Sequence, residues 1–532
     1  MDRARFIIVD ALATGRGFKK FTRDVIGAGP RTVAGVLEQL KFKCRIYTAE
    51  QILRNQKILL DFEVLLCSGM TMDIPSMRKI VSLWKEAHQD KVAVAGGPAA
   101  ADPYQILGKA DYDLVVIGEG EATLKELLTT ALSEGQMPDD ETLRGIKGLA
   151  FRTPSGVELT PLRPPSFEFK FEPSIERVAD YPYFRVSRVY VTCVIGCSNY
   201  RRALLPLPDG RKCNQCGLCV GDNLTERYYC PQGIPPGCGF CSVPSLFGPS
   251  RSRNKRSILR EVRGLLKLGV TRIVLGGSDF LDYQREKLVS PHPLTDPCLP
   301  EANYSEIESL LSEISKIRSE ISEKTYISIE NVKPCLFTES AARIISTYLP
   351  HTTIHIGCET GSETHSRKVG RPSTPRQSLA AVKRAIVYGL RPYVYFIHGL
   401  PGQTMDTAKQ TVDLMDKMAK IGAEKITIYR FKPLPMSAFG DFESPPPATK
   451  NEASKTILEK AKQINLEKKK LLIGKTLEVG VAEKIKAGKY IAYPLEEGPT
   501  IVLKTERAPI NELVKVKITR IINEKVVEAE LI

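Results

Sequence analysis

Short apolar runs alternate with amphipathic stretches along the first 150 residues. Phe6–Val9, Val64–Cys67, Val92–Ala95 and Leu114–Ile117 read as buried strands. Between them, stretches such as Ser76–His88 repeat their apolar positions at helical spacing. Two of the strands run into glycine, one at Gly96-Gly97-Pro98 and one at Gly118-Glu119-Gly120-Glu121. Parallel strands that end this way predict a doubly wound α/β domain over residues 1–150, with ligands taken at the strands' carboxyl ends. Residues 151–187 are rich in Pro, Phe and Glu, lack periodicity and read as a surface linker.

A second alternation fills residues 188–440. Its predicted strands are Val189–Cys193, Arg272–Leu275, Tyr326–Ile329, Thr353–Gly357, Tyr393–Ile397 and Lys425–Tyr429. Six strands with helices between them predict an open (β/α)6 barrel. Ser444 and three prolines then break the chain, and a lysine-rich helix runs from Asn451 to Leu472, so 441–471 reads as linker plus helix. Residues 472–532 carry five short strand patterns, the signature of a small closed β-barrel of the OB type. The fold class is therefore α/β with a terminal β-barrel.

The formal net charge of +15 favours an anionic partner: nucleic acid, lipid head groups or an acidic protein. General lysine richness is the bland alternative. The terminal barrel does not hold the excess, with ten Lys and Arg against nine Asp and Glu and only Tyr490 and Tyr493 as aromatics. The basic clusters lie upstream, at Arg251, Arg253, Lys255 and Arg256 and at Lys468–Lys470. No run has the length and apolarity of a signal peptide or membrane helix, which predicts a cytoplasmic protein with at most peripheral membrane contact.

Eight of the thirteen cysteines fall between Cys193 and Cys241. In a large chain without a secretory start, thiols this dense point to metal, and to iron–sulfur clusters first. Cys213-x2-Cys216-x2-Cys219 has ferredoxin spacing, and Cys230-Pro231 resembles the distant fourth ligand of such sites. A zinc knuckle is the structural alternative. Cys44, Cys67, Cys298, Cys335 and Cys358 stand alone and read as small buried residues.

Gly237-Cys238-Gly239-Phe240-Cys241 identifies the central domain as resembling the radical S-adenosylmethionine (SAM) enzymes. The resemblance implies a 4Fe–4S cluster on three cysteines. Two are Cys238 and Cys241. The third is Cys197, directly after the first strand, or alternatively Cys230. With Cys197 as the third, the residues between, 198–237, form an insertion with a second cluster on Cys213, Cys216, Cys219 and Cys230, and Cys193 is left over; with Cys230 as the third, Cys193 or Cys197 completes the second site as a further ligand. By the same resemblance Gly276, Gly277, Asp279, Glu330, Asn331, Glu359, His398 and Gly399 sit at successive strand ends and bind SAM. Helix capping is the alternative for Asp279 and Glu359.

The first domain resembles the cobalamin-binding domains fused to many such enzymes, through Gly96, Gly97, Gly118, Glu119 and Gly120. It lacks their histidine-ligand motif. The terminal barrel resembles a TRAM domain, which would imply RNA. The whole architecture resembles the archaeal tetraether lipid ring synthases, which would imply hydrogen abstraction from unactivated carbon of a membrane lipid, driven by a reductant such as ferredoxin. The expected substrate is therefore a tetraether lipid, with tRNA or RNA methyl or methylthio transfer as the alternative. A non-catalytic cluster or corrinoid scaffold is the third reading.

Overall fold

The computed structural model describes residues 4–19 and 23–532. The chain divides into two compact units, Met1–Phe184 and Arg185–Ile532.

The first unit is built on a seven-stranded sheet. Five parallel strands come first, in the order Lys43–Thr48, Arg5–Asp10, Val64–Ser68, Ala93–Gly96 and Leu114–Val116. An antiparallel hairpin, Leu149–Thr153 and Gly156–Leu159, extends one edge. This hairpin corrects the expected boundary: the sheet runs to Leu159, so the segment after residue 150 is not all linker. Arg152, Thr153 and Glu158 face outward on the edge and hide the strand pattern. Lys43–Thr48 was equally hard to read, because an edge strand alternates charged and apolar residues instead of showing an apolar run. The opposite end of Lys43–Thr48 is tied down by Asp180, which accepts from the Ile46 amide at 3.0 Å and from Arg45 at 2.8 Å.

The second unit opens with the six predicted strands, Arg188–Thr192, Arg272–Gly276, Tyr326–Val332, Thr353–Glu359, Arg391–His398 and Lys425–Arg430. They are parallel and lie side by side in chain order. Val189, Val191, Ile354, Ile356, Val394 and Phe396 are buried on one face. The alternate residues, Tyr190, Glu330, His355 and Tyr395 among them, share the other face. Two buried apolar residues per strand against the helices are worth several kcal/mol, at about 2 kcal/mol for each fully buried side chain. The open edge at Lys425–Arg430 is closed by the helix Glu452–Lys470. Its Asn465 side chain accepts from the Ile426 amide at 3.0 Å and donates to the Ile426 carbonyl at 2.6 Å, imitating a further strand.

The last five strands form a closed barrel, as expected. Its interior is a single apolar cluster containing Val479, Val481, Ile501, Leu503, Val516, Ile518 and Val527. This barrel docks on the amino ends of the six strands. Arg391 reaches Glu496 Oε2 at 2.8 Å and the Glu497 carbonyl at 2.7 Å, and Arg188 lies 3.2 Å from Glu497 Oε1. Gly480 packs so closely on Val186 that any side chain there would collide with it.

Burial of Glu497 pushes its carboxyl up, but the surrounding positive charges, Arg188 foremost among them, outweigh that and hold it down to about 2. A depressed carboxyl contributes stability that is complete above its free value and disappears as pH falls through the folded one. That contribution is about 3 kcal/mol and is lost between roughly pH 4.5 and pH 2. Glu497→Gln is therefore expected to loosen barrel docking at neutral pH and to flatten its acid dependence. Limited proteolysis of the terminal barrel against pH reads both. Equal protection of the two proteins at every pH would contradict this account of the interface.

Candidate functional site

The carboxyl ends of the six strands, opposite the terminal barrel, gather three thiols. Cys197 follows a turn at Gly196, whose φ is +76° and whose Cα faces the Pro249 carbonyl with no room for a side chain. The Cys197 amide donates to the Gly248 carbonyl at 3.1 Å. Cys238 and Cys241 flank a tight turn closed by the Cys241 amide on the Cys238 carbonyl at 2.8 Å. Gly239 is pressed against the Phe439 ring, which fixes that turn to the chain leaving the last strand. Asn199 joins the two segments: its amide faces Cys197 Sγ at 3.4 Å and its Nδ2 donates to Cys238 Sγ at 3.3 Å.

Burial pushes the Cys197 thiol up to about 11 and Cys241 up to about 12. As free thiols both are neutral, so only a bound cationic centre would make them thiolates. Among the described residues, no three Cys, His, Asp or Glu side chains close on one point in the manner of a single ion. A cubane spreads its thiolates over separate irons and does not need that arrangement. The trio suits such a group, and cationic side chains stand beside it. Arg371 points NH1 at Cys238 Sγ at 3.6 Å, bonds the Gly357 carbonyl at 2.6 Å and lies 3.5 Å from Glu359. Lys333 sits in a buried nest of Ser198 at 2.8 Å, Asp282 at 2.6 Å and Asp279 at 3.1 Å, close enough for its charge to act on Cys197.

The insertion carries the other thiols. Cys213 accepts from the Gln215 amide at 3.4 Å, and Gln215 and Gly217 both have positive φ, which curls the loop around its sulfurs. Burial raises Cys219, and the charges of Cys213 and Cys216 add to the shift, so these three are neighbours. Cys230 packs with Cys213 against one apolar cluster that also holds Leu207, Ile234 and Phe439. The insertion is anchored by Arg202, which donates to the Arg227 and Tyr228 carbonyls at 3.1 and 3.2 Å, and by Arg227 on Asp296 at 2.6 Å.

Several expectations need correction. Cys193 is not a spare ligand. Its thiol donates to the Val191 carbonyl at 3.7 Å on the outer strand face, beside Arg253 and Glu261. Cys298 and Cys335 are not isolated: they form a disulfide. Asp279 caps a short 3-10 turn through the Leu281 amide at 3.0 Å, and its other oxygen lies 3.1 Å from Lys333.

Nor is Arg251–Arg256 a basic rim. Arg251 is buried on the Phe247 and Pro249 carbonyls, Arg253 is buried on Glu261 at 2.6 Å, and Lys255 pairs with Glu313 at 2.8 Å. In the second basic run Lys469 is buried and brought down to about 8 by that burial, and Lys468 donates to the Ala419 carbonyl at 3.1 Å. Spacing shows that arginines are close in sequence, but it does not show which of them the fold pairs internally.

The remaining predicted residues stand at strand ends. Gly276 faces the Tyr190 ring, and Gly277 packs on Val194. Asn331, with φ +65°, donates to the Gly277 carbonyl at 3.0 Å and couples two neighbouring ends. Glu359, at φ +69°, is buried, which raises its carboxyl against the pull of Arg371. His398 is buried with Nδ1 unpartnered, and burial lowers it. The Gly399 amide donates to Gln403 at 2.8 Å. Glu330 lies deeper, 3.6 Å from both Arg188 and His355. Asn199, Lys333 and Arg371 were missed because each lies outside any recognisable spacing.

In the first unit, Gly96, Gly97, Gly118, Glu119 and Gly120 lie at the carboxyl edge of the sheet, beside Ser68 and Asp73. Gly97 has φ +79° and packs on Ser68 and Gly69, so substitution there would distort the loop whatever it binds. Gly96 is different. A Cβ there would meet nothing closer than the Val116 carbonyl at 3.9 Å. Gly96→Val is thus expected to leave the melting temperature within a few degrees and to lower corrinoid retention on gel filtration at least tenfold, because its methyls occupy the edge where a planar cofactor would lie. Unchanged retention would show that no corrinoid lies against this edge.

The B12 binding domain family matches residues 18–128, and the Radical SAM superfamily matches residues 228–415. The second match takes in Cys230, Cys238 and Cys241 and starts after Cys197. The protein MK0932 of Methanopyrus kandleri is 40% identical over 99% of this chain and 96% of its own length. The protein MJ1620 of Methanocaldococcus jannaschii is 42% identical over 97% of this chain and 96% of its own length. Among solved structures, the radical S-adenosylmethionine methyltransferase TsrM of Kitasatospora setae, with cobalamin and a [4Fe-4S] cluster bound, superposes with a TM-score of 0.58. It covers 83% of this chain and 74% of its own at 16% identity, a likeness of fold.

Proposed function

We propose, for a chain that belongs to one family with the two archaeal proteins and is a radical SAM enzyme carrying a B12-binding domain, that it functionalises an unactivated C–H bond. The observation that carries this reading is the Cys197, Cys238 and Cys241 trio at the carboxyl ends of the strands. In this reading the trio holds the SAM-binding cluster, and Cys213, Cys216, Cys219 and Cys230 hold a second one. A 4Fe–4S cluster held by these three thiols would supply the electron for reductive cleavage of SAM. The chain's own part is positional. Asn199 and Arg371 orient Cys238, Lys333 places positive charge beside Cys197, and Arg371 with Glu359 offers a paired acid and base to the polar groups of SAM. The cobalamin-binding edge of the first unit supplies a corrinoid site.

For the substrate we retain a saturated carbon of a tetraether lipid, with ring formation as the outcome. Two features support it over RNA modification. The terminal barrel is nearly neutral, and it sits at the amino ends of the strands, a strand length or about 20 Å from the thiols. An RNA gripped by a TRAM-like barrel would need a continuous basic track between the two ends. The paired and buried arginines at 251–253 leave head groups to be met elsewhere on the barrel mouth. Deletion of the gene tests the choice. Loss of ringed lipids with unchanged tRNA nucleosides is the expected result. A missing modified nucleoside with normal lipid rings would replace the lipid reading with the RNA one.

A further inference from the structure

The inner face of the six-stranded sheet carries a row of rings that SAM cleavage does not require. Tyr395 and His355 lie on neighbouring strands, with the Tyr395 hydroxyl 2.6 Å from His355 Nδ1. Burial pushes the Tyr395 hydroxyl well above its usual range and lowers the His355 imidazole. The phenol therefore keeps its proton, and in the imidazole tautomer with hydrogen on Nε2 it donates to His355 Nδ1. His355 also stacks on Tyr393, with centroids 5.3 Å apart, while its Nε2 is buried without a partner. On the other side, the Tyr395 ring stacks nearly parallel on Tyr429, 4° and 5.8 Å away. Tyr429 pairs in register with Ile397 at the carboxyl end of the last strand, the end that holds the thiol trio, and is an exposed residue.

An inert barrel interior is satisfied by Leu, Val and Phe, whose burial leaves no polar group to pair. Here two phenols and an imidazole run in line from the mouth inward, each within contact of the next. A phenolic O–H is weaker than the C–H bond of a saturated carbon. A phenol at the mouth is therefore a hydrogen-atom source for a carbon radical.

We propose that Tyr429 and Tyr395 form a hydrogen-atom relay that quenches carbon radicals at the barrel mouth, with His355 as its proton acceptor. This rests on the radical SAM activity proposed for the chain. In the first step the Tyr429 O–H bond breaks and a C–H bond forms, so the carbon radical is reduced and Tyr429 becomes a neutral phenoxyl. In the second step Tyr395 passes one electron to Tyr429 as its own proton moves to His355 Nδ1, and Tyr429 takes a proton from solvent. The radical now rests on Tyr395, shielded from the mouth, beside a protonated His355. One electron from the reductant that feeds the cluster, with the proton returned by His355, restores the starting state.

The test uses the reconstituted full chain with SAM and dithionite in D2O, without added substrate, so that the 5′-deoxyadenosyl radical is the carbon radical. Exchangeable phenol hydrogens are then deuterium. The expected product is singly deuterated 5′-deoxyadenosine, with at least a tenfold loss of label in Tyr429→Phe. Tyr395→Phe keeps the label, but the tyrosyl signal in freeze-quench EPR changes because the radical stays on Tyr429. Ring-deuterated tyrosine narrows the signal in both. Both substitutions remove only a hydroxyl, so the ring stack is preserved. Equal labelling in Tyr429→Phe, with normal amounts of 5′-deoxyadenosine, overturns the relay alone. Absence of 5′-deoxyadenosine from the unaltered protein overturns the relay together with the reading it rests on.

Discussion

Cys238→Ala and Cys241→Ala are each expected to abolish SAM cleavage, lowering 5′-deoxyadenosine formation by at least a thousandfold. Both thiols lie on one tight turn, and neither has a neighbour able to take its place. Cys197→Ala is expected to do the same. Cys230→Ala should leave cleavage within a few-fold of normal while lowering the iron content by about four, the content of one 4Fe–4S cluster. The reason is geometric. Asn199 bonds the sulfurs of Cys197 and Cys238 at 3.4 and 3.3 Å, which ties Cys197 to the turn that carries Cys238 and Cys241. If Cys230→Ala lost cleavage while Cys197→Ala kept it, the trio would be Cys230, Cys238 and Cys241, and the insertion cluster would have to be redrawn.

Lys333→Met should be the most destabilising single change in the second unit outside the apolar core. Its ammonium is the shared counter-ion of Asp279 and Asp282, both fully buried. Asp282 keeps Arg285, with which it forms a close ion pair, but Asp279 is left facing no cation. Removing one partner from a buried pair costs about 3–5 kcal/mol, because the remaining charge stays desolvated. The Lys333→Met, Asp279→Asn double variant should recover part of that loss, since the stranded carboxylate is gone. Urea unfolding of the metal-free protein measures both effects. A cost under about 1 kcal/mol for Lys333→Met would mean that the nest opens to water once the ammonium is removed.

The sequence carried the fold wherever apolar positions recur. In the first unit four strands show as apolar runs, the central six show as apolar positions recurring between helical stretches, and glycines mark the ends that matter. It failed at edges. Lys43–Thr48 interleaves charged and apolar residues, and Gly156–Leu159 is four residues long with no fully buried position, so both patterns resemble loop. The site was legible as far as its chemistry is local: Gly196-Cys197 and the Cys238, Cys241 turn are each a few residues long. What surrounds them is not local. Arg371 meets Cys238 from 133 positions away and Lys333 meets Ser198 from 135, and no spacing rule reaches that far. The same limit applies to the basic cluster at Arg251–Arg256, where Glu261 and Glu313 pair with two of its charges from outside the run.

Low-temperature EPR of the reduced Cys213→Ala, Cys216→Ala, Cys219→Ala triple variant, recorded before and after SAM is added, tests the central claim most directly. With the insertion thiols gone, the Cys197, Cys238 and Cys241 trio should still hold about four irons as one 4Fe–4S cluster. Its signal should shift when SAM occupies the open iron. A triple variant that holds no cluster, or one whose signal ignores SAM, would contradict the assignment of the barrel-top trio as the SAM-cleaving site.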